Sequence, residues 1–264
     1  MGQALSKEQF SNVNLTELEQ HVKNMYRDVA QNPQGDFHFE MGRIMAERLG
    51  YQVDHLDLTP QQAIESFAGV GYYFDLLDLK PKQKVVDFGS GAGMDTFVAA
   101  IHVGQDGIVT GIDMTDEQLD KANRLSVENG FINVSYRKAY IDKTGLENNS
   151  QDAVISNGVI NLAADKQAVF NEAYRVLKQG GKLALADIVT ESRLPENITC
   201  DATLWAACIG GAMQQDDYIN TIKTAGFEII HVQDNPEYHF ISDGATWATE
   251  TFGVKSISLL AIKK

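Results

Sequence analysis

The chain has 264 residues, 44% of them hydrophobic, so it has enough apolar mass for a substantial core and too much for a mainly disordered segment. Its 36 acidic residues outnumber 22 basic ones, for a formal charge of −14, which repels a phosphate backbone and argues against nucleic acid as a partner. No apolar run approaches the roughly 20 residues that span a bilayer, and two cysteines, Cys200 and Cys208, make neither a disulfide framework nor a metal-ligand set. With no charged-then-apolar leader at the start, a reducing cytoplasm is the expected compartment.

Apolar residues at helical spacing over residues 7–30, from Leu15 through Val29, predict a helix ended by Asn32-Pro33-Gln34-Gly35. A second helix is expected over Met41–Leu49. A short helix and an aromatic-rich loop, GVGYYF at 69–74, follow. From Lys84 strands and helices alternate. Strands are predicted at 84–88, 107–113, 133–137, 153–156, 181–187, 228–232 and 256–262, with helices at 96–103, 116–130, 166–177 and 217–225 between them. This alternation predicts an α/β, Rossmann-like, mostly parallel seven-stranded sheet with helices on both faces. Residues 1–79 read as a helical N-terminal cap and 80–264 as the sheet domain. Residues 191–215 interrupt the alternation as a lid-like insertion after the fifth strand.

The chemistry is concentrated in VVDFGSGAGMD at 85–95. Gly89, Gly91 and Gly93 follow a strand and precede a helix, where they permit a sharp turn and close approach of a ligand to the backbone. Asp87 precedes them, placed to receive a cationic group or to order the loop by hydrogen bonds; a pyrophosphate would not welcome that charge. Asp113 ends the next strand, where a carboxylate can take both hydroxyls of a ribose. Met114 beside it offers an apolar, polarizable surface to an adenine. A cationic amino-acid end and an adenosine end together describe S-adenosylmethionine.

VVDFGSGAGMD, GIDMTDEQLDKA and YRVLKQGGKLALADIV resemble the class I S-adenosylmethionine-dependent methyltransferases over roughly residues 80–190. GIDMTDEQL (111–119), ISNGVINL (155–162), Asp165-Lys166 and LWAACIGGA (204–212) are similar to the arsenite methyltransferase branch. The resemblance implies that Asp87, Gly89, Ser90 and Gly91 line the methionine moiety, with Gly93 completing the turn. It puts Asp95 near the amino or ribose end, Asp113 on the ribose, Met114 on the adenine, Tyr140 and Ile141 at its far edge, and Asn157 where acceptor meets cofactor. Many members carry an acid at the position of Tyr140; Asp142 or the backbone would replace it.

One departure bears on the substrate. The arsenite branch carries a cysteine where this chain has Gly158, and of its other cysteines only Cys208 is matched. A trivalent arsenical needs two or three thiolates, so arsenite is not the expected acceptor. The expectation is a small molecule, a thiol or another soft nucleophile, methylated by direct in-line transfer with S-adenosylhomocysteine as product. A C- or O-methyltransferase of a quinone, polyketide or lipid-like acceptor is the alternative enzyme, and a non-catalytic cofactor-binding regulator the alternative of another class. Asn157, Asp187 and His38 are the candidate catalytic residues. Tyr72, Tyr73, Gly158, Trp205 and Cys208 are the candidate acceptor pocket, and no metal is expected.

Overall fold

The computed structural model describes residues 15–195, 198 and 209–264. One sheet runs through the molecule. Its strands are β1 (Lys84–Phe88), β2 (Ile108–Asp113), β3 (Val134–Lys138), β4 (Gln151–Asn157), β5 (Leu177–Thr190), β6 (Met213–Gln214), β7 (Phe227–Asp234) and β8 (Lys255–Lys263). The order is β3-β2-β1-β4-β5-β8-β7, with β8 antiparallel to both neighbours and the rest of the path parallel. The seven expected strands are all present. The eighth, the two-residue β6, pairs with Val189 and Thr190 and closes the segment expected as an insertion. Strand order reverses between β1 and β4, which opens a crevice beyond their carboxyl ends.

The helices are α1 (Leu15–Gln31), α2 (Arg43–Leu49), α3 (Val53–Leu58), α4 (Gln61–Glu65), α5 (Phe74–Leu77), α6 (Met94–Val103), α7 (Asp116–Glu128), α8 (Lys166–Val176), α9 (Gln215–Thr224) and α10 (Asp243–Phe252). Asp165 caps α8, its carboxylate accepting the Ala168 N–H at 2.9 Å. The sequence reading passed over α3 and α10. The second is signalled locally: Ser242 accepts the Ala245 N–H as N-cap, and left-handed Gly253 ends the helix.

Strand alternation divides the core in two. On one face Val85, Ile155, Ala184, Ala186 and Ile188 pack with α6 and with the cap, through Met45, Tyr51, Leu56, Phe67, Val70 and Tyr73. On the other, Val86, Phe88, Val154, Leu183 and Leu185 pack with α8 and α9 through Phe170, Ala173, Tyr218 and Ile222. The strap between α4 and α5, residues 67–73, lies directly on the sheet. α1 stands apart: Leu18 and Val22 are buried against Tyr26, Met114 and Leu162 at the carboxyl end of the strands. Among the described residues no helix is long and apolar enough to cross a membrane.

Candidate functional site

The glycine turn forms as its spacing predicts. Gly89, Gly91 and Gly93 have φ of +77°, +52° and +95°, conformations that L side chains rarely adopt. The N–H groups of Gly89 and Ser90 both donate to the Ile112 carbonyl, at 2.8 and 2.9 Å, pinning the turn to β2. A Cβ at Gly89 would overlap Val159, so the turn also abuts the segment after β4. The front of Gly91 is open, with only the Gln118 side chain within 4 Å.

Asp113 completes this turn. One carboxylate oxygen accepts the Gly91 N–H at 3.0 Å and the other the Thr115 N–H at 2.9 Å. Burial pushes its pKa up, against the pull of those N–H donors. It lines a cleft of about 320 Å³ with Met114, Tyr140, Ile141 and Asp142 on one side and Gly89, Val159 and Leu162 on the other. Leu18, Val22 and Tyr26 of α1 roof the cleft. The Tyr140 hydroxyl donates to Glu19 at 2.6 Å and accepts from Lys23 at 2.9 Å, so it fastens the roof instead of facing the cleft.

Gln118 was missed by sequence reasoning. It is buried on the first turns of α7, donates from Nε2 to the Tyr26 carbonyl at 2.8 Å, and leaves Oε1 with no hydrogen-bond partner among the described residues. That orphaned acceptor is the side chain before the open front of Gly91. A buried acceptor without a donor is costly, so this one fits a ligand hydroxyl or ammonium.

The other predicted acids divide differently. Asp87 is buried and accepts the Thr96 hydroxyl at 2.7 Å, which ties β1 to α6. Its pKa is driven well up by burial and then by neighbouring Asp95. Asp95 is also buried and also raised by burial. Its oxygens accept the Tyr51 hydroxyl at 2.5 Å, the Tyr73 hydroxyl at 2.7 Å and the Asn157 amide at 3.0 Å. It therefore holds the cap, whereas the sequence assigned it to the cofactor. No lysine, arginine or histidine offsets Asp87, Asp95 or Asp113 among the described residues, so three buried carboxyl groups without a cationic partner lie beside the glycine turn.

Asn157 is equally committed. Its Oδ1 accepts the Val70 N–H at 2.7 Å, and its Nδ2 lies within hydrogen-bond distance of the Tyr51 hydroxyl, the Gly71 carbonyl and Asp95. Its amide N–H groups are taken up within the protein, so a catalytic role for the side chain finds no donor to spare. Gly158 has φ +70°, and a Cβ there would stand 3.2 Å from Val70 Cγ1. The space before Gly158 is thus closed by Val70 and the Ala68 carbonyl.

The two candidate bases do not line the cleft. Asn157 pairs with Ala186 in register, so Asp187, one residue on, points to the opposite face of the sheet. There it accepts the Tyr218 hydroxyl at 2.6 Å and the N–H groups of Asn161 and Ile188 at 2.9 Å. Burial raises its pKa to about 6. His38 packs edge-on against Phe39 in the cap. Tyr73 is fully buried, and Tyr72 packs edge-on to Tyr51 with its phenol pushed up to about 12 by burial; both belong to the cap seam. Trp205 and Cys208 lie outside the described residues. Among the described residues no group of three or more His, Cys, Asp or Glu could hold a metal ion.

Comparison with known proteins gives this geometry a context. A family model described as a methyltransferase domain matches residues 79–226. An arsenite methyltransferase of Halobacterium salinarum is 38% identical over 199 residues, covering 75% of this chain and 51% of that protein. The chain thus spans about half the length of that relative. Among solved structures, an arsenic(III) S-adenosylmethionine methyltransferase from Chlamydomonas reinhardtii superposes with a TM-score of 0.63 at 26% identity, over 85% of this chain and 75% of that one. A geranyl diphosphate C-methyltransferase from Streptomyces coelicolor superposes with a TM-score of 0.69 over 94% and 98% of the two chains; at 16% identity it shows the shared fold alone.

Proposed function

Because the chain belongs to the methyltransferase-domain family, we propose that it transfers a methyl group from S-adenosylmethionine to a small, soft nucleophile. The observation that carries the reading is Asp113, fixed by the Gly91 and Thr115 N–H groups at the side of a cleft walled by Met114 and Ile141. The residues present fit that cofactor. Asp113 would accept from the ribose hydroxyls, Met114, Ile141 and Leu162 would wall the adenine, and Gln118 supplies a waiting acceptor at Gly91. Asp87 and Asp113, buried beside the turn, lack a cation of their own, and the cofactor is cationic. When bound, S-adenosylmethionine supplies an electrophilic methyl on a sulfonium.

The chain's own part is positioning and exclusion of water. The glycine turn fixes one side of the cleft, Val159 the next, and α1 the roof. Asp187 points to the other face of the sheet and His38 does not line the cleft, so neither is set to remove a proton from an acceptor hydroxyl there. This favours an acceptor that ionises unaided, such as a thiol. Phe67, Tyr72, Tyr73 and Phe74, aromatics that could shape a pocket for a quinone or lipid-like acceptor, pack with one another and with Tyr51 and do not line the cleft.

Isothermal calorimetry with S-adenosylmethionine tests the cofactor; absence of binding overturns the reading. Formation of S-adenosylhomocysteine from hydrogen sulfide, small thiols, or arsenite with glutathione then tests the acceptor class. Turnover of arsenite in preference to thiols would replace the thiol reading. Binding without turnover of any soft nucleophile or of a phenol would favour a regulatory cofactor-binding protein.

A further inference from the structure

We propose that Asp95, Tyr51, Tyr73 and Asn157 form a positioning latch that holds the strap 67–73 across the end of β4 and so, through Val70 on Gly158, sets the position of the adjoining Val159 in the wall of the acceptor cleft. The inference rests on the methyl-transfer reading for the word acceptor; the latch itself stands on geometry alone.

The four side chains come from four places: the α2–α3 junction, the strap, the first turn of α6 and the last residue of β4. They meet in one buried network. Asp95 accepts from both tyrosine hydroxyls and from Asn157, and the Tyr51 hydroxyl, having donated to Asp95, can accept from the Asn157 amide at 3.1 Å. Asn157 passes the connection to the strap backbone, accepting from the Val70 N–H at 2.7 Å and donating to the Gly71 carbonyl at 3.0 Å. From the far side Ser256 donates to the Val70 carbonyl at 2.6 Å and Ser258 to the Tyr72 carbonyl at 2.8 Å. Asn157 and Ser256 thus take both polar groups of the Val70 peptide.

The fit around the strap leaves no play. A Cβ at Gly69 would stand 2.7 Å from Asn157 Nδ2, and one at Gly71 2.8 Å from the Ala186 methyl. The glycines bring the strap backbone down onto β4 and β5, and Val70 Cγ1 is delivered to Gly158. Gly158 in turn adjoins Val159, which the glycine turn touches and which lines the cleft. The strap therefore backs the cleft wall at one remove, through Val70 on Gly158 and Gly158 on Val159, and Asp95 ties cap and sheet together at that contact. Asp95 acts through Tyr51, Tyr73 and Asn157, so it is a positioning residue.

The experiment combines hydrogen exchange resolved by peptide, cofactor calorimetry and acceptor selectivity on the full chain. The variants are Asp95→Asn, which keeps the shape and loses one acceptor, and Tyr73→Phe, which removes one hydroxyl and no packing. Each is expected to speed exchange of the 67–73 amides at least about tenfold, the loss of one charged hydrogen bond, while exchange in β1 and α7 and the S-adenosylmethionine affinity stay within about threefold. The ratio of S-adenosylhomocysteine formed from benzenethiol to that from hydrogen sulfide should rise about tenfold, a change in selectivity that general destabilisation would not produce. Unchanged strap exchange in Tyr73→Phe overturns the latch even if Asp95→Asn fails to fold. Loss of cofactor binding with the strap still protected shows Asp95 to be a cofactor ligand and also overturns it. A wild-type protein that binds no cofactor defeats the methyl-transfer reading, and strap exchange then decides the latch.

Discussion

Val70 lies directly over Gly158. A methyl group added at Gly158 would stand 3.2 Å from Val70 Cγ1, on a backbone whose φ is +70°. Two costs are combined at this one position, a left-handed conformation and a close contact. Gly158→Ala should therefore lower stability by about 1–2 kcal/mol from conformation alone, more if Val70 does not yield. Urea unfolding measures this. Val70→Ala in the same chain should recover the contact part only, so the double variant should remain less stable than Val70→Ala alone.

Asp113 is held at one side of the cleft by two backbone N–H groups. Asp113→Ala should weaken S-adenosylmethionine by about 10- to 100-fold, the loss of charge-assisted hydrogen bonds worth roughly 1.5–3 kcal/mol. Calorimetry checks the affinity, and circular dichroism checks that the turn still folds. An unchanged affinity would remove Asp113 from the cofactor site.

Asp187 gives a signed pH dependence. Its folded pKa, raised by burial to about 6, lies above the usual 3.8. Between those values the folded state binds more protons than the unfolded one, so this group's contribution grows as pH falls and is lost as pH rises through about 6. Asp187→Asn should remove a slope of about 1 kcal/mol per pH unit in that window. The comparison is urea unfolding of both proteins between about pH 4 and pH 7, below the range where nearby Lys166, lowered by burial to about 8, changes charge. Parallel stability curves would show that Asp187 titrates normally.

Tyr140 fastens α1 through Glu19 and Lys23 on a partly exposed surface. Tyr140→Phe should cost less than about 1 kcal/mol of global stability, as exposed polar pairs do. Its effect should be local: faster hydrogen exchange in α1 and a cofactor affinity weakened by about two- to fivefold, because the roof of the cleft loosens. Equal exchange in the two proteins would mean that Leu18 and Val22 hold α1 by packing alone.

What was legible in the sequence follows from range. The glycine turn, Asp113 and Met114 are arranged by neighbours along the chain, and both strand alternation and turn chemistry report them. Seven strands were readable because each is a short apolar run between turn residues. β6 was not, being two residues whose pairing with Val189 and Thr190 is purely tertiary. The setting of Asp95 was not legible because its partners lie 22, 44 and 62 residues away, and no local pattern tells a carboxylate facing a ligand from one facing tyrosines. The setting of Asp187 was missed for a different reason: a strand end was read without its parity, and one residue of register turns a side chain to the other face. Gln118 carries a signal only in the structure, as a buried acceptor with nothing to accept.

The strap also constrains how such a chain can change. A side chain at Gly69 meets Phe67 and Asn157, and one at Gly71 meets Asn235 and Ala186, so neither position can vary unless those partners vary with it. Val70 alone, of the three, carries a side chain, and its backbone groups are held by Asn157 and Ser256 whatever that side chain is. Within these three residues, inherited variation is channelled to one codon, and Gly158 is the position with which it would have to change in step.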